Sequence, residues 1–172
     1  IQWVHRSTRG WSYGASVRHP RTQEILKGHV TLGSLRVRQD YLIAEGLVAP
    51  YGDSNSSEAI SDFALARIRQ LSAHEVGHTL GIAHNFAASA DDRASVMDYP
   101  HPFVTLSESG EVVLDDAYDE GIGAWDKRAI VWGYQDFPDG ESETDGRAAI
   151  IEETLASGLT YVADEHARIG SR

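Results

Sequence analysis

Residues 71–86 read LSAHEVGHTLGIAHNF, and within them His74, Glu75, His78, Gly81 and His84 keep the spacing H-E-x-x-H-x-x-G-x-x-H. On a helix of 3.6 residues per turn, His74 and His78 fall one above the other on the same face, where both imidazoles can share one ion. Glu75 stands about 100° further round, so it misses the metal and faces a water bound to it, which is where a general base belongs. Gly81 is free to take the left-handed backbone that ends a helix. The chain then turns back, and His84 approaches the same metal from outside the helix. Three neutral imidazoles leave one coordination position open, the mark of a catalytic rather than a structural zinc. The segment from about 56 to 80 is accordingly the long zinc-binding helix.

Chance does not account for the pattern. With 8 His and 16 Gly in 172 residues, such a set of five fixed positions arises in roughly one chain in ten thousand. A second signal follows at Ser95-Val96-Met97-Asp98-Tyr99, which holds the only methionine of the chain. The long histidine motif followed by an S-x-M-x-Y turn resembles the metzincin clan of zinc metalloproteases. Within that clan, the run WSYGASVRHPRTQEILKGHVTLGSLRVRQDYLIAEGL, together with HEVGHTLGIAHNF and SVMDYP, is similar to a family of large bacterial zinc-dependent proteases.

The resemblance implies an α+β, metzincin-like zincin fold: a small N-terminal β-sheet, the zinc-binding helix and a mostly helical C-terminal subdomain. Residues 1–172 are then a single catalytic domain, with an upper part over 1–80, a lower part over 81–172 and a Met-turn at 95–99. It implies one catalytic Zn2+ held by His74, His78 and His84, with Glu75 as the catalytic base and Met97 as a hydrophobic floor under the histidines. Tyr99 matches a tyrosine that some branches place near the metal, as a ligand or as a donor to the transition-state oxyanion; a tyrosine that only packs and hydrogen bonds is the alternative. Pro100, Pro102 and Phe103 look like the wall of the pocket for the residue after the cleaved bond, with loop rigidity as the alternative for the prolines, and His29 is a further candidate substrate contact. Metzincins lay the substrate along an edge strand above the zinc helix, and Leu26 to Leu32 is the candidate, with an ordinary interior strand as the alternative. Export from a bacterial cytoplasm, to the periplasm, cell surface or medium, is implied as well.

Composition sets the outer bounds. A chain of 172 residues buries about 70% of the surface its unfolded form exposes, enough for a real core. A formal charge of -11 argues against nucleic acid or an anionic membrane as partner; a peptide or protein substrate is what the resemblance implies. No apolar run reaches the length of a membrane span. Without cysteine, any metal must be held by nitrogen and oxygen. Ile1 is not an initiator methionine, so the chain reads as a piece of a longer protein.

Along the chain, the residues before Trp11 are too mixed to assign. Trp11, Tyr13, Ala15 and Val17 alternate with Ser12, Gly14, Ser16 and Arg18, a half-buried strand. His19 to Gln23 is a turn, and Leu26 to Leu32 a second strand that can close a hairpin. Ser34 to Gly46 is a helix with Leu35, Leu42 and Ile43 as candidate buried positions and Gly46 as its stop. Pro50 to Ser56 is a polar loop, Asn55 and Glu58 form a capping pair, and Asn55-Ser56-Ser57 matches a glycosylation acceptor. Ile60, Phe63, Ala64, Ile68 and Leu71 then form an apolar stripe running into His74 and His78. Leu106 to Val113 is β-like around Gly110. Asp115, Asp116, Asp119 and Glu120 are a calcium candidate, outweighed by acidic residues stabilised at a helix start. Trp125 to Tyr134 resembles the helix that closes metzincin domains, Pro138 to Arg147 is linker-like, and Ala148 to Ala156 is a short helix. The remaining histidines, His5, His19, His101 and His166, show no spacing for a second metal. Asn85 is placed to brace the turn after the third ligand.

These readings point to a zinc-dependent endopeptidase. A zinc-binding, non-catalytic interaction module is the alternative, as is a fragment with an incomplete cleft, because metzincins carry more sheet before the zinc helix than the two strands legible here.

Overall fold

The computed structural model of the protein describes residues 1–5, 10–48, 57–90 and 92–167. They form two compact units, one of residues 1–81 and 101–121, the other of residues 82–100 and 122–172. Residues 101–121, expected in the lower part, cluster with the first unit. The fold is α+β.

In the first unit, β2 (Tyr13–Arg18) and β3 (Ile25–Gly33) form an antiparallel hairpin, with Tyr13 opposite Thr31 and Ala15 opposite His29. The expected turn joins them: the His19 amide donates to the Glu24 carbonyl at 2.8 Å, and the Gln23 amide to the His19 carbonyl at 2.9 Å. A third strand, β1 (Gln2–Val4), runs parallel to β3 along Thr31–Gly33, where the opening residues gave no sequence signal. The order is β1-β3-β2. Leu26 to Leu32 therefore belongs to the central strand, which corrects its assignment as the edge, and β2 is the antiparallel strand at the sheet's margin.

The period of two in β2 is present, but its apolar set faces outward. Trp11, Tyr13 and Val17 are exposed, whereas Ser12, Gly14 and Ser16 are partly covered. The reason lies in the neighbouring helix. A Cβ on Gly14 would stand 1.9 Å from the Glu75 carbonyl oxygen, and one on Gly28 would stand 2.9 Å from Thr79 Cβ. Gly14 pairs with Val30 and Ser16 with Gly28, so these residues share one face of the sheet. The sheet thus meets the zinc-motif helix through two glycines, and larger side chains are left to the other face.

That helix, α2, spans Ser57–Thr79, close to the predicted limits; Asn55 and the loop before it lie outside the described residues. Its buried positions include Ile60, Phe63, Ala64, Arg67, Gln70, Leu71 and His74, a stripe of three- and four-residue steps. Arg67 and Gln70 are polar members that an apolar pattern does not reveal, and they hydrogen bond to each other. Before it, α1 (Leu35–Val48) runs past Gly46 and turns Asp40 and Ala44 inward, while Leu42 and Ile43, expected inside, are exposed. Ala44, Ile60 and Phe63 close a core with Leu114, Ala117 and Tyr118. The Phe63 and Tyr118 rings are 5.3 Å apart, and burying Phe63 alone stabilises the fold by about 1.5–3 kcal/mol. Asp40 is wholly buried and paired with Arg36 at 2.5 Å. Burial pushes its carboxyl above the usual range against the pull of Arg36, and burial likewise lowers Arg67. Strands β4 (Thr105–Leu106) and β5 (Val112–Val113) form a small hairpin, with Gly110 at a positive φ of 84°.

The second unit pairs α3 (Ala124–Tyr134) with α4 (Glu143–Ala156). Arg128 fastens them: its Nε donates to Thr154 Oγ1 at 2.9 Å and its guanidinium to the Ile150 carbonyl at 2.8 Å. Helix α4 begins at Glu143 rather than Ala148 because Ser142 caps it, accepting from the Asp145 amide. Much of the expected linker is thus helical. A last short helix, α5, spans Asp164–Ala167. Among the described residues, no helix is long and apolar enough to cross a membrane.

The glycine contact yields a stability prediction. A Gly14→Ala variant cannot place its methyl without moving the helix backbone at Glu75, so thermal unfolding should show it less stable by about 1–3 kcal/mol. An unchanged melting midpoint would mean that the sheet does not bear on the helix there.

Candidate metal centre

The candidate side chains lie at and beyond the C-terminal end of α2. His74 is 3% exposed and Glu75 5%. The Nε2 atoms of His74 and His78 stand 3.1 Å apart with their rings edge to face. The helix stops at Gly81, whose φ of 85° is the left-handed conformation expected of it and whose amide donates to the His78 carbonyl at 3.0 Å. Beyond the turn, His84 offers the third nitrogen, and ligand atoms of His74, His78 and His84 all lie within 4.8 Å of one another.

The donor set fits zinc. Two nitrogens bound tetrahedrally at about 2.0–2.1 Å are separated by about 3.3 Å, close to the observed His74–His78 distance. Three imidazoles and no thiolate suit a borderline-soft divalent ion with a position left for water. Among the described residues, these three histidines are the only group of this kind; Asp115, Asp116, Asp119 and Glu120 do not make one. Several of these acids instead line a cavity of about 460 Å³ floored by Phe63, Leu114 and Tyr118, and none of the three histidines contributes to it.

Around His84, the Asp164 carboxylate lies 2.7 Å from Nδ1 and the Tyr99 hydroxyl 2.8 Å from Nε2. Asn85, wholly buried, braces the following turn as expected: its amide donates to the Thr160 carbonyl at 2.9 Å, and its oxygen accepts from the Val162 amide at 3.1 Å. Met97 is 1% exposed, its carbonyl accepting from the Asn85 amide at 3.0 Å and its own amide donating to Ser95 Oγ at 2.8 Å. The turn that carries it is held by Asp126, a buried acid of α3 that accepts from Ser95 Oγ at 2.5 Å and from the amides of Val96 and Gly123 at 2.8 Å each. Asp98 accepts from the Ser89 amide at 3.0 Å.

The three expected substrate contacts have different surroundings. His29 hydrogen bonds to Thr31 at 3.1 Å and lies beside Tyr13. Since Gly28 faces α2, its neighbour His29 projects from the opposite face of the sheet, away from Glu75. It stands on the face of the sheet that Gly14 and Gly28 do not share. Phe103 is half-exposed, its amide donating to the Ala117 carbonyl at 2.9 Å, and Pro100 is partly covered.

Asp126, Asp164 and Gly14 escaped the reading of the sequence. Gly123-x-x-Asp126 has the spacing of a helix cap, which signals the bond to Gly123 but not the reach to Ser95 and Val96. Gly14 interrupts an alternating strand, a pattern that marks close backbone approach. Nothing local marks Asp164.

A family model described as Met-zincin matches residues 56–172. No curated protein and no solved structure matches the chain.

Removal of the Asp126 carboxylate strands two amides and a hydroxyl in the interior. Asp126→Ala should lower stability by about 2–4 kcal/mol in denaturant unfolding, whereas a loss below about 0.5 kcal/mol would show that the turn holds itself.

Proposed function

The chain belongs to the Met-zincin family, and we propose that within it the protein is a zinc-dependent metalloendopeptidase with Glu75 as general base. The observation that carries this reading is the convergence of three histidine nitrogens within 4.8 Å immediately beside a carboxylic acid on the same helix. His74, His78 and His84 would hold the ion. When bound, zinc supplies Lewis acidity, lowering the pKa of water toward about 7 and polarising a carbonyl.

The chain's own residues do the rest. Glu75 accepts one proton from the attacking water and delivers it to the departing amine, so the base is regenerated in each turnover. The Tyr99 hydroxyl is a hydrogen-bond donor for the carbonyl oxygen as it gains negative charge. Met97, packed in the interior, gives the turn before Tyr99 an apolar anchor. An extended substrate adds to the margin of β2, the strand whose Gly14 abuts the backbone of Glu75, and gains ladder hydrogen bonds independent of its side chains. Pro100 and Phe103 remain candidates for the wall of the pocket beyond the cleaved bond. Export from a bacterial cell is part of the same proposal, on the strength of the resemblance alone. A zinc-holding module without catalysis has no need of an acid at Glu75, and its presence favours hydrolysis.

Glu75→Gln should keep a full complement of zinc and lose essentially all chelator-sensitive cleavage of an unfolded protein such as casein; retained cleavage removes Glu75 as the base. His84→Ala should bind zinc far more weakly in metal analysis of the purified chain, and unchanged occupancy places the third ligand elsewhere.

A further inference from the structure

We propose that Asp164 is a positioning residue of the metal centre, fixing the ring orientation and tautomer of His84, and that residues 160–164 are the strap that delivers it. This rests on the reading of His84 as a ligand.

A carboxylate only accepts hydrogen bonds, so at 2.7 Å from Asp164 the Nδ1 of His84 must carry the proton. In the neutral imidazole, Nε2 then bears a lone pair. Tyr99, 2.8 Å away, donates its hydroxyl proton to it. In the metal-free chain the ring is therefore held from two edges; Asp164 keeps Nε2 in the form a metal requires, and Tyr99 gives up that lone pair to an arriving ion. Without the carboxylate, nothing in this pairing keeps the proton off Nε2, and an Nε2–H imidazole has no lone pair there to offer.

Asp164 lies 80 residues from His84 in sequence, and the route between them is built from named contacts. The Phe86 amide donates to the Val162 carbonyl at 2.8 Å. Asn85 exchanges hydrogen bonds with Thr160 and Val162 on the same segment. Between those two residues, Tyr161 stacks flat on Trp125 of α3, with centroids 5.3 Å apart and planes within 6°. The strap is thus laced to the two residues directly after the ligand, and two residues beyond Val162 it presents the carboxylate. None of these contacts is needed to close the helix that bears His74 and His78. Their shared consequence is the placement of His84.

The test uses the full chain and zinc alone. Competition with a chromophoric chelator should show the zinc Kd raised about 10–100-fold in Asp164→Ala and Asp164→Asn, with partial recovery in Asp164→Glu and an unchanged far-UV circular dichroism spectrum. In the metal-free wild type, imidazole ¹⁵N spectra should show His84 protonated at Nδ1, and Asp164→Ala should move that signal toward the other tautomer. A folded Asp164→Ala chain with a Kd within about twofold of wild type overturns the proposal. So does a wild-type His84 protonated at Nε2, which decides the matter even if the variants fail to fold. A wild-type chain that takes up no zinc removes the metal-centre reading itself, and the two failures are thereby distinguished.

Discussion

Two imidazole nitrogens held 3.1 Å apart on one helix face are the constraint on which the remaining structure depends. Such a pair is useful only on a helix that does not move, since a shift of half an ångström changes what the nitrogens can bind. The immobility of α2 comes from three directions within its unit. Ile60, Phe63 and Ala64 bury its N-terminal half; Arg67 and Gln70 continue the stripe as a polar pair; Gly14 brings the sheet onto its backbone at Glu75 and Gly28 onto the Thr79 side chain. The closest approach falls on the backbone of Glu75, so the packing that fixes the helix also fixes the proposed base.

The second unit answers a different demand, that of positioning residues on loops. His84, Met97 and Tyr99 lie outside regular helices, where backbone groups lack repeating partners. Buried side chains supply them instead: Asn85 for the chain after His84, Asp126 for the turn of Met97 and Asp98 for Ser89. Asn85 and Asp126 satisfy groups that would otherwise be stranded in the interior, while Asp98 holds a residue at the surface. Acids in these positions act as scaffolding rather than chemistry.

What could be read from the sequence follows from how local each signal is. The zinc helix, its glycine stop, the hairpin and the closing helix were legible because spacing within a few residues determines them. The face of β2 was not, since an alternating pattern says that two faces differ without saying which one meets a helix; Gly14 and Gly28 decided that by being small. Strand order was equally hidden, and β1 took the place beside β3 that made it central rather than marginal. In α1, Leu42 and Ile43 pointed to the wrong face because the buried positions there are an ion-paired Asp40 and a small Ala44. Asp126 and Asp164 reach partners far away along the chain, a distance across which composition and periodicity carry nothing. The histidine motif and the turn of Met97 both lie within residues 56–172, the span of the family match.

The ligand set around a bound zinc ion is the decisive quantity. X-ray absorption at the zinc edge of the loaded protein measures it directly. Three imidazole nitrogens and one or two light oxygen scatterers at about 2.0–2.1 Å are the predicted shell. A shell with fewer than three imidazoles, or one closed by a fourth protein ligand with no place for water, would contradict it.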